Sequence, residues 1–453
     1  MTAHTTVLNS NEKKYKSALV VLTSLFFMWG FITCLNDILI PHLKSVFELN
    51  YTESMLIQLT FFGAYFIMSI PSGWIIGKIG YQKGIVVGLI MTGLGALMFY
   101  PAAEIHFYPF FLLSFFILAS GITVLQVAAN PYVSALGDPE TASGRLNLTQ
   151  AFNSLGTTIA PLLGALLILS DSANGAESVK LPYIGIAVAL FLIALYFAKV
   201  KLPKLSFDKV KVTSGSAWKY KHLVLGAIAI FVYVGAEVAI GSVMINYLGE
   251  SHILALSESE AAKFVAVYWG GAMIGRFFGS IMLSELKDSS KNLFYALAII
   301  IFAFLLGWYL TKEVQLGLVF LAFAIFNFAA FKIGKNKPTK TLSTFATIAA
   351  ILVLISIFSA GYVSVWTIIT VGLFNSIMFP TIFTLAIDGL GEHTSQGSGI
   401  LCAAIVGGAI IPQLVGILAD NFGLQYSLLL PVICYFYIVY YGLSGYKKIG
   451  EIN

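Results

Sequence analysis

Charge is what this sequence has least of. Only 10% of its residues are Asp, Glu, Lys or Arg, against 58% apolar; a soluble chain carries roughly a quarter charged residues. That shortage excludes a soluble globular protein. Cysteine is nearly absent too: Cys34, Cys402 and Cys434 all fall within apolar runs, so a disulfide framework is excluded. The six histidines (His4, His42, His106, His222, His252 and His393) lie between those runs or at their ends, with no paired spacing suited to a metal. A membrane-embedded metalloenzyme would therefore lack its ligands. No segment resembles a selectivity filter, which argues against a channel. Three lysines precede the first apolar run, but no cleavage site of small residues is evident, so the run is read as an uncleaved span.

What is present is apolar sequence in long pieces. Runs without a charged residue cover 17–36, 54–77, 84–103, 105–137, 146–170 and 181–198. A helix of about 20 apolar residues crosses the hydrocarbon core. Lipid cannot solvate backbone groups, so each crossing must be helical or part of a closed barrel. Barrel strands would alternate over about 10 residues; these runs are continuous, and helices are predicted. Further spans are predicted near 222–248, 263–284, 292–311, 314–332, 341–361, 363–388, 396–419 and 424–445. The uncharged stretch 341–387 amounts to about 70 Å of helix, too much for one crossing, and is divided at Gly361. The expectation is an all-α integral membrane protein of about fourteen spans.

Lysine and arginine set the orientation. With the N-terminus inside, Lys13, Lys14, Lys16, Lys78, Lys83, Arg145, Lys287, Lys291, Lys447 and Lys448 all lie on the cytoplasmic side. The basic connection 199–221 and the loop bearing Lys332, Lys335, Lys337 and Lys340 join them, while Lys44, Lys180, Lys263 and Lys312 lie outside. Both termini are thus expected in the cytoplasm, and the net charge of +5 needs no nucleic-acid partner. The connection also divides the chain into an N-terminal bundle (1–200), a linker (201–221) and a C-terminal bundle (222–453) with two additional spans at about 312–361. A faint repeat crosses that division. GTTIAP, with Gly156 and Pro161, matches GGAIIP, with Gly407 and Pro412, at an offset of 251; Pro131 and Pro380 stand 249 apart. Parallel repeats of six spans describe the major facilitator architecture.

Several segments carry a more specific likeness. FFMWGFITCLNDILIPHLK (26–44), LQVAANPYVSALG (125–137) and LNLTQAFNSLGTTIAP (146–161) resemble the fucose/glucose/galactose permeases of the major facilitator superfamily. FVYVGAEVAIGS (231–242), VYWGGAMIGRFFGS (267–280) and GLFNSIMFPTIFTLA (372–386) resemble the bacterial glucose/galactose transporters within that group. The likeness covers nearly the whole chain except about fifty residues around 300–360, where the family has one span and this chain is read as having three. It implies a major facilitator fold of two six-helix bundles plus an extra helix pair. It also implies no enzyme activity and no cofactor, but cation-driven uptake of a monosaccharide through a bacterial inner membrane, by a protein working as a monomer. Two departures stand out. Gly77 occupies the place of an acidic residue in the general facilitator signature, and Gln126 replaces a glutamate of the fucose permeases.

The candidate residues follow. Asp37, beside Asn36, lies near the outer end of span 1; position alone also suits an interfacial acid, and the resemblance places it in the central cavity as the cation-coupling group, a site for Na⁺ or H⁺. Sodium is favoured because Gln126 cannot exchange a proton. The amides Gln126, Asn130, Gln150 and Asn153 have helical-face spacing and match sugar hydroxyls in both donating and accepting. They would serve equally well as hydrogen bonds between helices. Asn375 is a further amide of this kind. Glu237 and Arg276 lie deep in spans 7 and 8, as a structural ion pair, a substrate site or both. Tyr65, Tyr233, Tyr268 and Trp269 could stack on sugar or simply pack. Another small solute on the same fold remains the alternative reading, with a membrane-embedded enzyme further behind.

The charge bias makes a direct prediction about sidedness. In a cysteine-free background, Lys211→Cys and Lys337→Cys should resist membrane-impermeant thiol reagents in intact cells and react once the membrane is opened. Labelling of either from outside would overturn the topology.

Overall fold

The apolar runs become helices because only intrasegment hydrogen bonds satisfy a backbone that water does not reach. The computed structural model describes residues 18–34, 43, 46–49, 51–167, 179–200, 202, 216–284 and 289–447. In chain order the first helices are α1 (Ala18–Cys34), α2 (Tyr51–Ile79), α3 (Tyr81–Leu97), its continuation α4 (Phe99–Ile105), α5 (Tyr108–Ala135), α6 (Ala142–Leu167) and α7 (Lys180–Lys199). After the linker come α8 (Lys221–Gly249), α9 (Glu258–Met282), α10 (Ser289–Thr311), α11 (Val314–Ile333) and α12 (Pro338–Ile357). The last spans are interrupted: α13 (Gly361–Asn375) with α14 (Met378–Ile387), α15 (Thr394–Ala403) with α16 (Gly407–Phe422), and α17 (Leu424–Ser427) with α18 (Leu429–Tyr440).

Ten of these segments are long and apolar enough to cross a membrane, and Ala18–Cys34, Leu293–Tyr309 and Gly317–Ile333 are shorter apolar helices. With α6 they make fourteen helical segments among the described residues. The break placed at Gly361 is present. α12 ends at Ile357, and Gly361 opens α13 at φ +60°, backbone that glycine adopts without the steric cost of a Cβ. The spans expected at 363–388 and 396–419 are each present as a membrane-length segment, and each is interrupted. Pro380 has no N–H to extend α14 backwards, and a 3₁₀ turn over Ala404–Val406 leads into Gly407 and Gly408.

The described residues pack as two compact units. The first draws on Met1–Pro139, Phe152–Ala217 and Gly389–Ala403, the second on Glu140–Ala151, Trp218–Asp388 and Ala404–Asn453. In the first, α3 packs on α5 and α7, and α15 packs on α2 and α5. Gly77 of α2 faces Ser395, whose Oγ lies 3.0 Å from where a Cβ would stand. A Cβ there would press on the Ser395 side chain, so α2 and α15 meet closely at this position. In the second unit α12 packs on α13, α14 and α18, whereas α10 packs chiefly on α11 and α9.

The repeat motifs occupy corresponding places. Gly156 of α6 lies on the backbone of α1 at Phe27 and Phe31; Gly407, at the start of α16, lies on the backbone of α8 at Phe231. A Cβ at either site would overlap main-chain atoms. Small residues let backbones approach closely where lipid offers no hydrophobic drive for helix association. Gly63, by contrast, has nothing within 4 Å of a notional Cβ.

Gly156→Val should therefore lower the thermal stability of the detergent-purified protein by an overpacking cost of about 1–3 kcal/mol, while Gly63→Ala leaves it unchanged. Equal melting temperatures for the two variants would show that the α1–α6 contact yields without cost.

Candidate functional site

The polar residues of the second unit gather around the interruption between α13 and α14. Pro380 cannot donate to the carbonyl four residues earlier, which is Ser376 O. Arg276 of α9 supplies the missing donor: its Nε–H bonds Ser376 O at 3.2 Å. Two neighbouring carbonyls are held in the same manner. Tyr233 Oη donates to Asn375 O at 3.0 Å. Asn327 Nδ2 of α11 donates to Leu373 O at 3.2 Å, alongside Ser376 Oγ at 2.6 Å. Side chains from α8, α9 and α11 thus replace the helical bonds lost at the break.

Asn375 is the hub of this arrangement. Its Nδ2 donates to Tyr268 Oη at 2.8 Å, and its Oδ1 accepts from Tyr435 Oη of α18 at 2.7 Å. Tyr268 Oη in turn donates to the backbone carbonyl of Glu237 at 3.2 Å. Tyr233 and Glu237 share a face of α8, being four residues apart. Asn375 is fully buried with its amide engaged on both sides, so what the structure displays is a bracing amide. Glu237 Oε1 stands 3.8 Å from Arg276 Nη2. That is an ion pair but not a hydrogen bond, which for charged partners is about 2.7–2.9 Å. Arg276 is tied first to the broken helix and only second to the carboxylate.

The first unit repeats the proline device with a different donor. Pro131 frees Val127 O, and Ser398 Oγ of α15 donates to it at 3.0 Å. Two amides sit beside it on α5. Gln126 Nε2 makes a long 3.4 Å contact to Tyr65 Oη, and its Oε1 has no hydrogen-bond partner among the described residues. Asn130 is wholly buried, and neither atom of its amide has such a partner. Asn153 of α6 donates from Nδ2 to Phe26 O of α1 at 3.0 Å, so part of its capacity holds helices together. Gln150 is buried in the second unit.

Among the aromatic candidates, Tyr65, Tyr233 and Tyr268 are buried and their hydroxyls engaged. Only Trp269 keeps an open ring, 43% exposed. Asp37 and Asn36 lie outside the described residues. Tyr435, Asn327 and Ser376 were not singled out from the sequence. Asn327 carried a usable signal, as a lone amide deep in the apolar run of α11. Tyr435 did not, standing among other tyrosines in α18.

The two proline-freed carbonyls predict an energetic coupling. Arg276→Ala strips the donor from Ser376 O and should cost about 1–3 kcal/mol of stability, more than Glu237→Gln, which leaves the Arg276–Ser376 bond in place. Pro380→Ala restores a backbone N–H, so Arg276→Ala with Pro380→Ala should be less destabilised than the sum of the singles. Strict additivity in thermal unfolding would remove the capping role.

Comparison with known proteins agrees with this architecture. Residues 20–333 match the Major Facilitator Superfamily. A glucose/galactose transporter of Brucella abortus is 50% identical over 447 residues, covering 97% of this chain and 96% of that one. The L-fucose-proton symporter of Escherichia coli is 33% identical, covering 94% and 92%. A crystal structure of the E. coli fucose:proton symporter superposes with a TM-score of 0.77 at 30% identity, over 95% of this chain and 99% of that one. The chain belongs to the Major Facilitator Superfamily, and it is a multi-pass membrane transporter rather than an enzyme.

Proposed function

We propose that this chain is a cation-coupled symporter that imports a hexose of the glucose/galactose type by alternating access. The observation that carries the reading is that Gln126 Oε1, both amide atoms of Asn130 and Glu237 Oε1 are among the buried polar atoms without hydrogen-bond partners among the described residues. Neutral amides suit hydroxyls, which donate and accept at once. The glucose/galactose transporter and the L-fucose-proton symporter among its relatives support the same solute class. Gln126, Asn130, Gln150, Asn153 and Glu237 are the proposed sugar ligands, with Asn375 acting through the tyrosines it holds. Trp269 is the proposed stacking surface. A concentrated basic set, as an organic anion would require, is not what the site offers, because Arg276 is already engaged at Ser376.

Asp37, next to Asn36, is the proposed coupling group. Binding a cation would remove the cost of occluding a bare carboxylate and let the loaded carrier turn over. The cation is Na⁺ or H⁺. The preference for sodium rested on Gln126, and a proton symporter at 33% identity over almost the whole chain draws the assignment toward protons instead. We place both termini in the cytoplasm of a bacterial cell, the linker at 201–221, and one monomer as the working unit. The extra helix pair, first assigned to about 312–361, is better placed at α10 and α11. α12 packs on α13, α14 and α18 in the second unit much as α3 packs on α5 and α7 in the first.

Uptake of labelled glucose and galactose into proteoliposomes, under imposed sodium or proton gradients, tests the reading; accumulation driven by neither would end it. Asp37→Asn should lose uphill accumulation and keep counterflow exchange, because the amide preserves shape but cannot exchange the charge. Gln150→Ala should weaken sugar binding several-fold, at about 1 kcal/mol for a neutral hydrogen bond. Asn153→Ala should also lower stability, since it breaks the tie to Phe26.

A further inference from the structure

Glu237 and Arg276 stand beside each other, yet the guanidinium does not complete the carboxylate. Nη2 is 3.8 Å from Oε1, and Nε–H is committed to Ser376 O. Glu237 is 8% exposed, and Oε1 has no hydrogen-bond partner among the described residues. Leaving a buried carboxylate oxygen without a donor is costly. An ionised carboxylate only accepts, so the group that completes it must donate. A metal cation in that place would be repelled by the charge of Arg276. A hydroxyl would not be: its hydrogen serves Oε1, while its own oxygen, or that of an adjacent hydroxyl, accepts from the guanidinium.

We propose that Glu237 and Arg276 form a hydroxyl-reading subsite in the second unit, which accepts from one hydroxyl of the bound hexose at Glu237 Oε1 and donates to a neighbouring sugar oxygen from Arg276. The proposal rests on the hexose reading given above and assigns the specificity within it. The surrounding residues hold the pair rigidly. Tyr268 bonds the backbone carbonyl of Glu237 and is itself fixed by Asn375, while the proline-freed carbonyl anchors Arg276. A site built in this manner discriminates strongly against an analogue lacking the hydroxyl, because the carboxylate oxygen is then left buried and unpaired.

The test measures equilibrium binding of glucose and each of its single-position deoxy derivatives to the purified full-length chain, in wild type, Glu237→Gln and Glu237→Asp. Glu237→Asp keeps the charge opposite Arg276 and withdraws it by one methylene, so it should remain folded even if Glu237→Gln does not. In the wild type, loss of one particular hydroxyl should weaken binding roughly 10- to 100-fold, as expected for a hydrogen bond to a charged group. In the variants that ratio should collapse to within a few-fold, with the ratios at the other positions unchanged. The same deoxy profile in wild type and Glu237→Asp would overturn the subsite. A uniform fall across all derivatives, with loss of sugar-induced proton movement, would overturn it in favour of a coupling role for Glu237. If the wild type bound no hexose at all, the symporter reading itself would fail; hexose binding with an unchanged profile removes only the subsite.

Discussion

A backbone carbonyl in a lipid environment must find a donor, and Pro131 and Pro380 each deprive one of its partner. Pro131 leaves Val127 O to Ser398, and Pro380 leaves Ser376 O to Arg276. Much of the polar architecture follows from that constraint. A helix that has lost a turn of internal bonds draws polar side chains from its neighbours, and those side chains then line the interruption. In the second unit the donors come from α8, α9 and α11, and they bring Tyr233, Arg276 and Asn327 to one place. Discontinuous helices are where transporters of several folds put their binding groups, because irregular backbone is tolerated only away from lipid.

The same constraint changes what Arg276 is for. A deep arginine beside a deep glutamate suggests a closed structural pair, and such pairs often contribute little net stability. Here the guanidinium first satisfies the broken helix, which leaves Oε1 of the carboxylate with a charge partner but no hydrogen bond among the described residues. The pair is therefore structural at one end and chemically available at the other. Asn375 shows the converse. An amide that might have held sugar is engaged by two tyrosines and holds the site instead.

Close approach of helices is the second organising feature, and it is repeated. Gly156 on α1 and Gly407 on α8 put equivalent helix pairs into main-chain contact in each unit. Gly77 extends the same principle within the first unit, where it brings α2 close to Ser395 of α15. At that position the contact is steric, made by glycine and serine, rather than electrostatic.

The sequence by itself determined the helical class and the break at Gly361, and it pointed to about fourteen spans and a repeat. Each depends on local quantities: run length against bilayer thickness, charge placement, and the dihedral freedom of glycine. It also brought out most of the polar candidates, because a charged or amide side chain in an apolar run is rare enough to be noticed. Tertiary structure alone decided what those candidates touch. No spacing rule could show that Arg276 reaches the carbonyl freed by Pro380, that Asn375 is held between Tyr268 and Tyr435, or that Asn153 is tied to Phe26. Nor could hydropathy show that α12 packs on α13 and α18 while α10 and α11 pack on each other. The reason is physical: hydropathy reports how much a segment prefers lipid, whereas a hydrogen bond between helices depends on rotation and register, and these are settled only when the helices pack.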